Sequence, residues 1–524
     1  MPVASLRIDS IAAGGDGVAR ADGMVVFVPR TAPGDVARVS YEPKGRFARG
    51  TLIALESGSP DRVAPACAHY EGDRCGGCQL QHLTYDAQRR AKADIVRDAM
   101  VRIARRADTA PPAVRPAPSP WRYRRKLTLA LRARGRRWTA GLHPYDQPAR
   151  VFPLRECPIT EDRVLAAWRE VLAASDTLPN AAELRGAVRF DDADATSLVI
   201  EGGDRWTGAQ RLLEQAPALG SIWWKPAGAP RALPAASRDD RASPAASFAQ
   251  VNAAVATALR AWVVERVAAY DPAHVIDAYA GTGLTALALA SAACRVTAIE
   301  LDADASAWCA ARLPNGARAV AAAVEDALPA ALPADVVILN PPRAGVDARV
   351  TAALEAARAS TRAIVYVSCD PATLARDVGR LAGWRVASLE SFDMFPQTAH
   401  VETVCELIPE SWVKYIVAMG ETRVTVDVEP DAVRVTGRRI PASLADIEGT
   451  PVRMVTIGDR VHRVVVRRRE SKGHYVLWID GYTYDVEALD ERTRTIRDLT
   501  AEATGPTGPR PWKMRCRPHF PPTS

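Results

Sequence analysis

A chain of 524 residues exceeds what one hydrophobic core usually holds, so two to four domains are expected. With 48% hydrophobic and 25% charged residues, the balance is that of an ordinary globular protein. No uncharged apolar run of about 18 residues occurs, and the N-terminus MPVASLRIDS lacks the parts of a secretory signal, so a membrane span and export are both excluded as expectations. A net charge of +7 fits a polyanionic partner only weakly, but residues 121–138 hold eight Arg or Lys and no Asp or Glu. Nine cysteines, unevenly spaced, argue against a disulfide framework and leave metal ligation, catalysis or core packing.

In chain order, residues 1–58 read as short strands parted by Gly14, Gly15, Gly17, Gly23 and Gly34, with β-branched runs at 25–29 and 36–41. Five such strands make a small barrel, either a plain structural module or an oligonucleotide-binding one. Residues 59–85 are irregular and hold Cys67, Cys75 and Cys78. The apolar spacing predicts an amphipathic helix over 85–106. A Pro-rich connector follows at 111–120, and 124–224 mix strands with one helix near 163–174. Residues 226–244 are rich in Ala and Pro without a hydrophobic period and predict a mobile loop. From 248 to 409, apolar strands (HVIDAYA, RVTAIE, DVVILN, AIVYVS) alternate with Ala-rich helical segments, the pattern of a doubly wound parallel sheet. Beyond Trp412 strands return without helices, and six prolines in the last 22 residues predict a disordered tail.

Several short motifs carry chemistry. Asp277-Ala278-Tyr279-Ala280-Gly281-Thr282-Gly283 is a glycine turn after a strand, where a ligand can approach the backbone. Glu300 ends the next strand, placed to accept from ribose hydroxyls. Nicotinamide and adenosylmethionine folds both use this arrangement, so the turn alone does not separate them. Asn340-Pro341-Pro342-Arg343 closes a third strand and suits recognition of a planar base by its edge. Cys369, in Ser368-Cys369-Asp370-Pro371, precedes a predicted helix whose N-terminus would favour its thiolate; the plain alternative is a buried packing cysteine. Glu402, in His400-Val401-Glu402-Thr403, is a candidate general base, although a lone Glu is more often a solvated surface residue. Cys67, Cys75, Cys78 and Cys157 suit zinc or a [4Fe–4S] cluster.

Together these residues resemble the RNA uracil-5-methyltransferase family, in particular its iron–sulfur branch acting on 23S ribosomal RNA. The resemblance spans residues 1–409 and includes GGCQLQH at 76–82, SFAQVN at 247–252 and the methyltransferase motifs in order. It implies a multidomain α/β protein. Residues 1–58 would be an OB-like, TRAM-like barrel that binds RNA, and 59–225 a central α+β iron–sulfur and RNA-binding domain. Residues 226–246 would be the Pro/Ala-rich loop, and 247–411 a Rossmann-like class I domain dependent on S-adenosyl-L-methionine (SAM). By position, Cys369 would be the nucleophile that adds to C6 of uracil, and Glu402 the base that removes the C5 proton. Gln250, Tyr279, Gly281, Glu300 and Asn340 would contact the cofactor or the base. Cys67, Cys75, Cys78 and Cys157 would hold a [4Fe–4S] cluster, with zinc as the alternative. The implied partner is RNA, 23S rRNA first, met by a cytoplasmic monomer that does not bind membranes. A tRNA substrate, or an RNA-binding iron–sulfur protein with impaired catalysis, are the rival readings. The sequence departs from the family pattern in a wider Cys67–Cys75 spacing, in Asn340 where Asp is usual, and in Leu284 where Asn is frequent. Residues 473–494 resemble instead the segment preceding the biotinyl domain of acyl-CoA carboxylase biotin subunits, but the Ala-Met-Lys-Met signature is absent and only Lys513-Met514 occurs. Residues 412–502 therefore read as a mainly β appendage without a biotin site, and 503–524 as the tail.

Overall fold

In a computed structural model of the chain, the residues described are 1–135, 137–191, 193–238, 250–410, 413–420, 422–428, 432–435, 438–447, 450–469 and 473–490. Ser247, Phe248 and Ala249 of the SFAQVN segment, Lys513-Met514 and the expected tail lie outside them. The chain divides into two units, the first running to Leu407 and the second built on residues from Ile408 onward. No described helix is long and apolar enough to cross a membrane.

The first unit holds three sheets. The N-terminal sheet has six strands in the open order Val3–Arg7, Val36–Lys44, Phe47–Ser57, Met24–Val28, Gly17–Ala21, Ser10–Ile11. The sequence predicts five strands and a barrel. The sixth strand has only two residues, too few to show a period-2 pattern or to close a ring.

The central sheet has seven strands, in the order Phe152–Pro153, Arg137–Leu142, Lys126–Arg134, Glu183–Phe190, Thr196–Glu201, Ser221–Lys225, Leu233–Ser237. One face buries Leu127, Leu129, Leu131, Leu198 and Ile222 against helices Asp162–Ala173 and Ala209–Gln215. Gly186 is required there, because a Cβ would stand 2.5 Å from the Trp168 ring. The expected loop at 226–246 needs correction: Leu233–Ser237 is an edge strand antiparallel to Ser221–Lys225. Its Pro234 lacks a donor and is tolerated because one side of an edge strand goes unpaired.

The third sheet has eight strands, in the order Arg318–Ala321, Arg295–Glu300, His274–Ala278, Val336–Leu339, Ala363–Ser368, Glu402–Pro409, Trp384–Phe392, Ala113–Arg115. The first five run parallel, and Glu402–Pro409 is antiparallel to Ala363–Ser368. His274–Ala278, Val336–Leu339 and Ala363–Ser368 are buried at every position, which is why they read as unbroken apolar runs. Chain order reverses between His274–Ala278 and Val336–Leu339, the switch point where such sheets bind ligands.

The helix Tyr85–Arg102 joins the cysteine region to this sheet. It ends four residues earlier than the periodicity predicts, and Arg105 just beyond has a positive φ of 58° that no helix accommodates. Lys92 on this helix is fully buried and forms an ion pair with the fully buried Asp393, and its ammonium also donates to the Phe395 carbonyl (3.0 Å). Gln88 donates to Gln397 Oε1 and accepts from the Gln397 backbone N–H, both at 2.9 Å. Tyr123 donates to the Pro396 carbonyl (2.8 Å). The loop leading into Glu402 is therefore held at four residues, Asp393, Phe395, Pro396 and Gln397.

The second unit is a closed barrel of eight strands: Val413–Met419, Thr422–Val428, Ala432–Val435, Arg438–Asp446, Val452–Ile457, Arg460–Arg468, His474–Ile479 and Tyr482–Asp490. Successive strands pair antiparallel, and the last pairs with the first.

Replacing Lys92 with Met strands the Asp393 carboxylate in an apolar interior and should cost about 3–5 kcal/mol in denaturant unfolding. The double variant Lys92→Met/Asp393→Leu should recover most of that loss, because it removes both charges.

Candidate active site

The strand His274–Ala278 ends in a turn where Tyr279, Gly281 and Gly283 have φ of 62°, 56° and 81°. At Gly283 a Cβ would meet Cys309 Sγ at 2.2 Å, whereas at Gly281 it would meet nothing within 4 Å. The turn is thus packed on one side and open on the other. The Glu300 carboxylate accepts from the backbone N–H groups of Gly281 and Asp302, each at 2.8 Å, which fixes it against the turn. Each oxygen retains a lone pair for a further donor.

Asp277, one step before the turn, is a residue whose importance the sequence did not show. It is buried, its Oδ2 has no hydrogen-bond partner, and burial, helped by Glu300, pushes its carboxyl up to about 7. An orphaned buried carboxyl beside an open glycine turn fits a ligand that carries donors or positive charge, as SAM does.

Asn340 lies exposed at the end of Val336–Leu339, and its N–H donates to Ala278 O (3.2 Å). The loop beyond it is pinned to the helix Pro371–Arg380. The fully buried Asp377 carboxylate accepts from the Tyr366 hydroxyl (2.7 Å) and the Val346 N–H (3.0 Å). Thr373 donates to Arg343 O (3.1 Å), and Arg376 donates to Ala344 O (2.8 Å). This network sets where Arg343 begins. Gln250 sits half-buried before the helix Ala253–Ala268, and the carbonyl of its neighbour Val251 accepts from the Arg125 N–H (2.9 Å).

Cys369 follows Ala363–Ser368, and Glu402 opens the antiparallel strand beside it. Ser368 pairs with Thr403, so the next residues outward along the two chains are Cys369 and Glu402. Glu402 is 2% exposed and its Oε2 has no partner; burial lifts its carboxyl to about 7, against the opposing pull of Arg343. Cys369 is half-buried. Its thiol is raised by burial and then by Glu402, while the charge and hydrogen bond of Arg343 lower it. The helix N-terminus expected to stabilise the thiolate is occupied otherwise, since Asp370 caps it by accepting from the Thr373 N–H (2.8 Å). Arg343, to which the sequence assigned no separate role, is the cation that both groups feel.

Cys67, Cys75, Cys78 and Cys157 line one cavity of about 120 Å³. Burial raises the thiols of Cys67, Cys75 (to about 11) and Cys78 (to about 12), and neighbouring thiols push in the same direction. The widened Cys67–Cys75 interval is taken up by a single helical turn, Ala68–Glu71. Its buried His69 pairs with Asp73 (2.7 Å) and accepts from the Arg155 N–H (3.1 Å), tying this loop to the segment that carries Cys157. Among the described residues, no three His, Cys, Asp or Glu side chains are close enough together to hold one metal ion.

The strand order, the glycine turn with Glu300 and the buried Asp277 define a class I SAM-dependent methyltransferase. A family profile described as tRNA (Uracil-5-)-methyltransferase matches residues 329–408. An uncharacterised RNA methyltransferase of Thermosynechococcus vestitus is 33% identical over 455 residues, covering 77% of this chain and 97% of that protein. The 23S rRNA (uracil(1939)-C(5))-methyltransferase RlmD of Methylococcus capsulatus is 30% identical, covering 77% of this chain and 96% of its own. In fold, the chain is similar to the Pyrococcus abyssi tRNA (uracil-54, C5)-methyltransferase in complex with S-adenosyl-L-homocysteine, with a TM-score of 0.58, 22% identity, and coverage of 78% of this chain and all of that one. The chain belongs to the RNA uracil-5-methyltransferase family and is an RNA methyltransferase that uses SAM.

The Glu402 carboxyl yields a stability prediction. Its folded pKa of about 7 lies above the ordinary 4.5, so the folded state holds the proton more tightly than the unfolded chain does. Below about pH 4.5 the group is neutral in both states and costs nothing. The cost grows between 4.5 and 7 and is complete above 7, where it is about 3 kcal/mol. Glu402→Gln should therefore match the parent in thermal unfolding at pH 4.5 and exceed it at pH 7.5. Equal melting temperatures at both values would show that the carboxyl is not held protonated.

Proposed function

We propose that the chain methylates C5 of a uridine in 23S rRNA through a covalent adduct on Cys369. The observation that carries this reading is the Ser368–Thr403 register, which brings a thiol and a proton-holding carboxyl to adjacent strand ends beside Arg343. C5 of uracil is a poor nucleophile. Addition of the Cys369 thiolate at C6 turns the ring into an enolate, and C5 then attacks the sulfonium methyl. Glu402, with a pKa near neutrality, takes the C5 proton, and the C6–S bond breaks to release the product. Arg343 opposes the burial that keeps both groups protonated. Tyr279, Gly281, Glu300 and Asn340, at neighbouring strand ends, would hold SAM or the base, with Gln250 beside them. The Methylococcus capsulatus relative favours 23S rRNA; the tRNA named in the family description favours a second reading, in which the same chemistry serves tRNA. Mapping 5-methyluridine in both RNAs from a deletion strain separates the two.

Cys67, Cys75, Cys78 and Cys157 would hold a [4Fe–4S] cluster. Four cysteines on one cavity, which as thiolates would be costly to bury alone, support a bound cationic group. Four cysteine ligands suit a [4Fe–4S] cluster, with zinc as the alternative that metal analysis separates. Its place here is structural, and no step of methyl transfer passes through it.

Cys369→Ala should lower turnover by about 10⁴-fold or more while leaving SAM affinity within about two-fold. Glu402→Gln should slow turnover about 10²–10⁴-fold and leave a protein–RNA adduct that survives a denaturing gel. Full activity in either variant rejects the assignment of that residue. Protein purified without oxygen should contain about four irons and four sulfides per chain; one equivalent of zinc without iron would reverse the metal assignment.

A further inference from the structure

The helix Pro371–Arg380 carries a polar stripe beside its apolar one. Leu374, Ala375 and Val378 are buried in the core, while Thr373, Arg376, Asp377 and Arg380 fall at the i, i+3, i+4 and i+7 spacing of a single face. Every residue of that stripe addresses the loop that follows Asn340-Pro341-Pro342. Thr373 donates to the Arg343 carbonyl (3.1 Å), Arg376 to the Ala344 carbonyl (2.8 Å) and Arg380 to the Val346 carbonyl (3.5 Å), while Asp377 accepts from the Val346 N–H (3.0 Å). Asp377 is the centre of the set. It is fully buried, with Oδ2 shared by the Val346 N–H and the Tyr366 hydroxyl (2.7 Å), and Oδ1 shared by Arg376 (2.9 Å) and Arg380 (3.2 Å). Gly345, at a φ of 78°, turns the loop over this carboxylate, and a Cβ there would collide with Thr373, Arg376 and Asp377.

We propose that Asp377 is a positioning residue for methyl transfer, holding this loop so that the Arg343 side chain reaches Cys369. The stripe lies on the helix that starts two residues after Cys369, so one rigid element sets both the thiol and the origin of the cation. Arg343 is exposed, and packing does not fix a long exposed side chain; where its backbone starts decides what it can reach. In this structure it hydrogen-bonds to Cys369. A carboxylate suits the task because four donors converge on its two oxygens, whereas an amide would turn an NH2 towards one pair of them. The charges acting on the thiol are Glu402 and Arg343, and His400 in turn feels Arg343 and Asp370. Asp377 acts on the thiol at one remove, through Arg343. The inference rests on Cys369 being the nucleophile.

The test follows alkylation of Cys369 by iodoacetamide in the full-length protein from about pH 6 to 10, without RNA or SAM, the Cys369 peptide being quantified by mass spectrometry. Asp377→Asn should move the midpoint up by about one pH unit and lower the rate at pH 7 about ten-fold, as when a neighbouring cation withdraws from a thiol. A direct effect of the lost negative charge would move it down instead. Thr373→Val, which removes only the hydroxyl bond to the Arg343 carbonyl, should shift it the same way by a smaller step, about two- to three-fold in rate. In an Arg343→Gln background neither substitution should have any further effect, because both act through Arg343. Melting temperatures report that the variants are folded, and if Asp377→Asn does not fold, Thr373→Val decides alone. An unmoved midpoint in folded protein, a downward shift, or the same upward shift with and without Arg343 would each overturn the proposal. Full turnover in Cys369→Ala would count against the nucleophile assignment, whereas failed coupling alongside an inactive Cys369→Ala would count against Asp377 alone.

Discussion

The buried pair of Lys92 and Asp393 is the interaction on which the arrangement of the site depends. Two opposite charges without water are rarely a net gain in stability, since desolvation offsets most of their attraction. What such a pair does supply is intolerance of alternatives: either charge left alone in that interior is far worse than the two together. The pair joins the helix that follows the cysteine loop to the loop that delivers Glu402, and the Gln88–Gln397 and Tyr123–Pro396 hydrogen bonds add direction to it. The positive φ of Gln397 (70°) shows that this loop adopts a conformation its sequence alone does not favour. The central region is thus part of how the loop before Glu402 is shaped.

The same physics acts at two carboxyls of the candidate site. Glu402 and Asp277 are carboxyls in apolar surroundings, each with one oxygen that nothing in the protein satisfies, and both hold protons near neutral pH. Asp277 precedes the glycine turn by one residue, and Glu402 opens its strand. A protein optimised for stability alone would have amides or apolar side chains there. The unsatisfied oxygens mark positions where substrates complete the hydrogen bonding, the pattern expected when binding and chemistry are favoured over the resting fold.

Much of the methyltransferase sheet was legible because its strands are buried on both faces and so read as pure apolar runs between Ala-rich helices. The strand ends were legible because Gly281, Pro341 and Cys369 break those runs with residues that no core needs. Less could be read where the signal is relational. Glu402 looks like any surface glutamate until the register sets it beside Cys369. Arg343 looks like the tail of a proline turn until Asp377, on the helix after the neighbouring strand, is seen to anchor the loop behind it. Leu233–Ser237 carries Pro234 and two alanines, poor strand formers, and becomes a strand only because Ser221–Lys225 offers it an edge. The eight-stranded closure of the second unit depends on the last strand pairing with the first, and no local pattern encodes that.

The largest departure from the sequence reading concerns Cys369, and it bears on mechanism. A helix N-terminus was expected to lower its pKa, but the cap is taken by Asp370, and burial beside Glu402 raises it instead. Burial and Glu402 thus both favour the thiol over the thiolate, and a thiol is the poorer target for stray electrophiles and oxidants. Reactivity has to come with the substrate. In the proposed mechanism, a uracil turned out of its stack into this pocket would bring the polarised C6 that the thiolate attacks. The thiol and the carboxyl also repel each other as anions, so they do not readily carry full charge at once. In the proposed mechanism Cys369 and Glu402 would be needed at different moments, one before methyl transfer and one after it. Their mutual repulsion is compatible with a reaction that uses them in sequence, and it disfavours any resting state in which both are armed.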